Sequence, residues 1–140
     1  MTAGGLSVVA ALLHLGCIAG GGPWYRALGA GEPMARAAER GAMMPHAIAV
    51  IIAAVLLGWA AYAFSAAGLT VRLPLIRTAL VAISVVLLAR GLAVPFMRAW
   101  RPDLSLGFIY TTAAICTALG LIFAIGTWRA WASLSLKDAF

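Results

Sequence analysis

The residues able to do chemistry in this chain are few: His14 and His46, Cys17 and Cys116, and the carboxylates Glu32, Glu39, Asp103 and Asp138. Histidines and carboxylates could hold a metal or move protons, and cysteines could run thiol redox chemistry, provided each set met in one place. Their spacing argues against that. Each cysteine sits inside an apolar run with no CxxC partner, which leaves packing as its role; a four-helix thiol-redox enzyme of the vitamin K epoxide reductase type would need a paired motif. His14 falls near the middle of one apolar run and His46 at the start of the next. At the helical rise their depths differ by about 12 Å, too far to sandwich one iron, and no metal or cofactor is expected. All four acids fall in connections or the tail. Proton-coupled small multidrug transporters and sterol isomerases of four helices both rely on acids buried among the helices, so both lose weight. Ser–His–Asp catalysis has no partners at one depth.

What remains is a set of polar residues in apolar surroundings. His14 is an imidazole deep within a hydrophobic run, and such residues are candidates for function. Its plain alternative is a hydrogen bond to a backbone carbonyl. Arg77 and Arg90 stand in one apolar run with twelve residues between them. Near a helix end, a long arginine side chain can snorkel to lipid phosphates. Alternatively, His14, Arg77 and Arg90, with Trp24, Tyr25 and Arg26, line a polar cavity able to hold an anionic headgroup or a quinone-like ring.

The elements that position these residues follow from composition. The chain has 140 residues, of which 64% are hydrophobic and only 10% charged. Globular chains are about half apolar and a quarter charged, so water is not the main solvent expected here. A hydrocarbon core about 30 Å thick needs roughly 20 apolar helical residues per crossing. The sequence predicts one all-α domain over 1–140, an integral membrane bundle of four transmembrane helices at about 4–22, 46–67, 74–94 and 106–128. The first segment has no basic residue before Arg26, which distinguishes it from a secretory signal and marks it as a mature span.

Punctuation supports the division. Gly20-Gly21-Gly22-Pro23 ends the first helix. Gly16 and Gly20 form a small-xxx-small pair against which another helix could pack. Glu32-Pro33 reads as the start of a short interfacial helix between spans 1 and 2. Along it Glu32, Arg36 and Arg40 recur at spacing four, and Arg36 pairs with Glu39 at spacing three. Gly91 and Pro95 could loosen the end of the third span near Arg90. Pro102-Asp103 and Ser105 offer turn and N-cap chemistry before the fourth.

The net charge of +6 does not imply nucleic acid, because the basic residues are scattered among connections and helix ends, where lipid phosphates are their natural partners. Those near helix ends divide too evenly to fix an orientation. Nine of the ten basic residues are Arg, and Ala and Gly abound, a bias that fits a bacterium with a GC-rich genome.

The runs Gly22-Pro23-Trp24-Tyr25-Arg26, Gly29-Ala30-Gly31-Glu32 with Met34-Ala35, Leu75-Ile76-Arg77-Thr78-Ala79-Leu80 and Arg90-Gly91 resemble a group of uncharacterised four-span bacterial inner-membrane proteins. The resemblance covers most of the chain and implies a topology, without an activity. The reading that follows is a non-enzymatic component of the bacterial inner membrane. Its expected partners are membrane lipids and other membrane proteins, a second copy of the chain among them. A small carrier, or a protein handling lipid or quinone, is the alternative.

Overall fold

A computed structural model describes residues 1–135. The chain is helical throughout: α1 (Thr2–Ala27), α2 (Glu32–Glu39), α3 (Met43–Ala66), α4 (Ile76–Leu92), α5 (Val94–Trp100) and α6 (Leu106–Ser135), with no strand among the described residues. Lys137 and Asp138 lie outside the described residues. Three helices, α1, α3 and α6, are long and apolar enough to cross a membrane; α4 and α5 make a fourth candidate if the bent pair counts as one. In each of the three, only 22% of the most apolar stretch is buried within the protein. Large side chains such as Val9, Leu12, Ile51, Val55, Ile115 and Ile125 therefore face outward. In water each Å² so exposed forgoes about 25 cal/mol, whereas hydrocarbon carries no such cost.

The helices pack as two antiparallel pairs. α1 runs along α3 and α4 along α6; the pairs share little surface, and the backbones of α1 and α4 do not approach each other. Small residues bring the first pair together, with Ala11 of α1 and Ala49, Ala53 and Ala60 of α3 all buried. In the second, Ile76, Leu80, Ile83 and Leu87 form one stripe on α4 against Phe123 and Leu134 of α6, joined by Ala63 of α3. These recur at spacings of three and four, the period that places a helix stripe on one face.

Four features depart from the sequence-based expectation. The first helix kinks at Gly21, whose φ of 61° and ψ of −151° are non-helical, and then resumes to Ala27. It does not end there because Pro23, with φ fixed near −65°, suits the first turn of the resumed segment. The kink folds the Trp24 ring back onto Gly16 and Gly20, so a Cβ on Gly16 would meet that ring at 2.7 Å. The small-residue face is thus filled by its own helix and not by a neighbour. The third predicted span is shorter, beginning after Leu75 in a left-handed conformation (φ 53°) and stopping at Leu92. There α5 turns away by 62°, because Pro95 has no N–H to give the Gly91 carbonyl. Finally, α6 continues to Ser135, since neither Gly nor Pro follows Gly126 to stop it.

The turn joining the pairs is closed by Ser65, whose Oγ donates to Val71 O (3.0 Å) and accepts from Leu73 N (3.0 Å). At the opposite end α2 forms as expected, with Pro33 in its first turn and Ala35 fully buried against Cys17, Tyr25 and Ala49. Ser105 Oγ accepts from Phe108 N (3.2 Å) at the start of α6.

Candidate functional site

Beneath α2, a cavity of about 280 Å³ opens between α1 and α3, with His14, Cys17, Tyr25, Met34, Ala49 and Arg101 in its wall. Its polar groups are oriented by local structure. His14 Nδ1 lies 2.8 Å from Ala10 O. A carbonyl can only accept, so Nδ1 is the donor in this contact. Cys17 Sγ points to Leu13 O at 3.7 Å. Tyr25 is buried, and its hydroxyl lies 3.0 Å from His46 Nδ1, the two rings tilted with centroids 6.0 Å apart.

Arg101 closes this end. Its Nε and Nη2 donate to the two oxygens of Asp103, each at 2.9 Å, and Nη2 also reaches Ala30 O at 3.1 Å. The bidentate pairing lowers the Asp103 pKa and raises that of Arg101. It is geometrically specific because the planar guanidinium fits a carboxylate fork. Two glycines make room: Gly29 and Gly31 have φ of 75° and 91°, and a Cβ on them would run into Phe108 and into Arg101, respectively. The Gly29-Ala30-Gly31 motif is therefore the cradle that receives the start of α6.

Arg26 is drawn into a carboxylate clamp. Nε donates to Glu32 Oε2 (2.8 Å) and Nη1 to Glu39 Oε1 (2.6 Å), while Arg36 Nε reaches Glu32 Oε1 (2.8 Å). The Glu32–Arg36 pair follows the predicted spacing, but Glu39 turns to Arg26 in place of Arg36. Gly22 allows it, since a Cβ there would strike Glu39. These side chains stay 39 to 65% exposed, so the clamp fixes the position of α2 more than it adds stability. Arg26, and then Arg36, hold the Glu32 carboxyl down to about 2 from its ordinary 4.5. With the folded value depressed, the clamp is complete above pH 4.5 and comes undone as pH falls through about 2. The Glu32 side-chain carbon resonance should titrate near 2 and move up toward 4.5 in Arg26→Ala, where Arg36 alone still lowers it; a parent midpoint at 4.5 would contradict the clamp.

The two other predicted arginines lie elsewhere. Arg77 Nη2 donates to Trp131 O (2.6 Å), and its guanidinium sits 4.4 Å from the Trp131 ring centroid. Arg77 Nε is buried without an acceptor, and so is Arg90 Nη1. Contacts of Gly91 with Thr117 and of Leu88 with Gly120 fix the α4–α6 register, which sets Arg90 beside the middle of α6. It is about ten residues, or 15 Å, from the Phe108 contact. Arg90 lies in the last turn of α4, two residues before that helix ends at Leu92. His14, Arg77 and Arg90 do not converge on one cavity, because both arginines belong to α4, whose backbone does not approach α1, and His14 and Arg77 line separate spaces. The structure brings His14 and Tyr25 together instead with Arg101. Trp24 covers its own helix and Arg26 is committed to the clamp.

Arg101 and the Tyr25–His46 contact were not foreseen. The proximity of Arg101 to Asp103 and the spacing of three between His14 and Cys17 were the available signals. Among the described residues no three of His, Cys, Asp and Glu group as metal ligands would. Compared with known proteins, the chain matches no protein family, no curated protein and no solved structure.

Proposed function

We propose that this chain is a single-domain, four-crossing protein of the bacterial inner membrane, with α4 and α5 as one bent crossing and α2 resting at the surface. It acts without chemistry of its own, through the lipids or proteins that meet its outer faces. One observation carries this reading. The polar side chains within the long helices are mostly bonded to carbonyls of their own helix: His14 to Ala10, Cys17 to Leu13, Ser84 to Leu80, Thr117 to Ala113 and Thr127 to Phe123. Groups held this way satisfy lipid-facing or packed helices. A catalytic site would instead need a nucleophile, a base and an orienting group turned toward one another.

Reporters inserted after Gly41, Leu69 and Asp103 test the topology. They should read alternate sides of the membrane. If the Asp103 reporter shares the side of the Leu69 reporter, α4 and α5 form a re-entrant loop and the chain crosses three times. Native mass measurement after gentle extraction tests the mode of action, and a strictly monomeric protein free of lipid and protein partners would count against it.

A further inference from the structure

The outer seam between α4 and α6 is a trough. Its deeper part, about 570 Å³, is walled by Val81, Val85, Leu88, Ala124 and Trp128. Past Trp131 it opens into a further space of about 520 Å³ that ends at Arg77. The two hydroxyls of the deeper part are closed off, with Ser84 Oγ donating to Leu80 O (2.8 Å) and Thr127 Oγ1 to Phe123 O (2.7 Å), and a third, Thr78, stands at the head beside Arg77. The deeper walls therefore offer hydrocarbon no unsatisfied hydroxyl. From Arg77 to Leu88 is eleven residues, about 16 Å at the helical rise. That length matches one leaflet, half of a hydrocarbon core about 30 Å thick.

The head of the trough is cationic. Trp131 fixes the Arg77 guanidinium through its carbonyl and its ring face, and Arg77 Nε has no acceptor. No carboxylate among the described residues answers this charge: Glu32, Glu39 and Asp103 are paired with Arg26, Arg36 and Arg101 at the opposite end. A second copy of the chain laid along the same seam with the same orientation would bring Arg77 no described acidic partner. A phosphodiester would supply the missing anion, and the exposed rings of Trp128 and Trp131 suit the headgroup level.

We propose that the α4–α6 seam holds one anionic phospholipid, its phosphate against Arg77 beside Trp131 and one acyl chain along 81–88. This rests on the reading that α4 and α6 lie in a bilayer. The test offers the purified full chain a mixture of phosphatidylglycerol and phosphatidylcholine in nanodiscs, then counts retained lipid by native mass spectrometry. The parent should retain one phosphatidylglycerol in preference. Arg77→Gln should lower the ratio of the two lipids about fivefold, the effect of one basic side chain at a lipid surface. Arg77→Lys should keep most of the preference, Val85→Trp should expel the lipid with the charge intact, and Arg98→Gln on α5 should change nothing. Circular dichroism confirms that each variant is folded. Equal retention of both lipids by the parent, an unchanged ratio in Arg77→Gln, or lipid-free pairing of chains through Val85→Cys crosslinks would overturn the proposal. Alkaline extraction separates the two levels: a chain released without detergent removes the bilayer reading as well, whereas an alkali-resistant but unselective chain removes this inference alone.

Discussion

Gly29→Val is expected to lower the unfolding midpoint of the protein in detergent more than any other single change at the α1–α2 turn. Gly29 has a φ of 75°, where a side chain costs roughly 1–2 kcal/mol through its clash with the following carbonyl. The new Cβ would also point into the Phe108 ring. Displacing that ring from a packed turn adds about 1–3 kcal/mol. The contributions can be separated, because Gly29→Ala combined with Phe108→Ala removes the overlap and leaves the backbone term. Circular dichroism against temperature reads both. A Gly29→Val midpoint equal to the parent's would mean that Phe108 does not seat on this cradle.

Arg90→Met should act in the opposite sense and stabilise the protein by about 1–3 kcal/mol, the penalty of a buried donor left without an acceptor. Methionine keeps much of the length and flexibility of the side chain while removing its charge and its N–H groups. Arg101→Met serves as the contrast, since Arg101 hydrogen-bonds to Asp103 and to Ala30 O, and it should lose stability. Denaturant titration of the three proteins decides it: equal shifts in the same direction would show that Arg90 is satisfied after all. A stabilised Arg90→Met would also mark Arg90 as a residue that contributes something other than stability, because a buried charged group with an unsatisfied N–H is costly to keep.

Helix bodies were legible because long apolar runs are bounded by breakers, and α2 because Glu32-Pro33 announces a start and the charges recur at helical spacing. The ends were less so. Gly16 and Gly20 reveal that something approaches closely, yet only the backbone at Gly21 decides that it is Trp24. That Arg90 stands beside the middle of α6 could not be read from its own neighbours, since register with α6 sets it, whereas its place in the last turn of α4 was legible from Gly91 and Pro95. Arg101 was passed over for a similar reason: its contact with Ala30 joins residues 71 apart in the chain, and no local pattern encodes it. The spacing of His14 and Cys17, by contrast, places them one turn apart on the same helix face and was readable throughout.

The division into two closely zipped pairs has a mechanical meaning. Sliding α1 and α3 as one block past α4 and α6 as another breaks far fewer side-chain contacts than separating the members of either block, so the soft direction of this molecule runs between the halves. Among the described residues the 67–75 turn, the packing of Ala63 into the α4–α6 core, the seat of Phe108 on Gly29 and the Arg101 fastening restrain it. A bilayer that thins or is squeezed laterally would find its least resistance there, and would change the width of the furrow between the blocks before it disturbed any single helix.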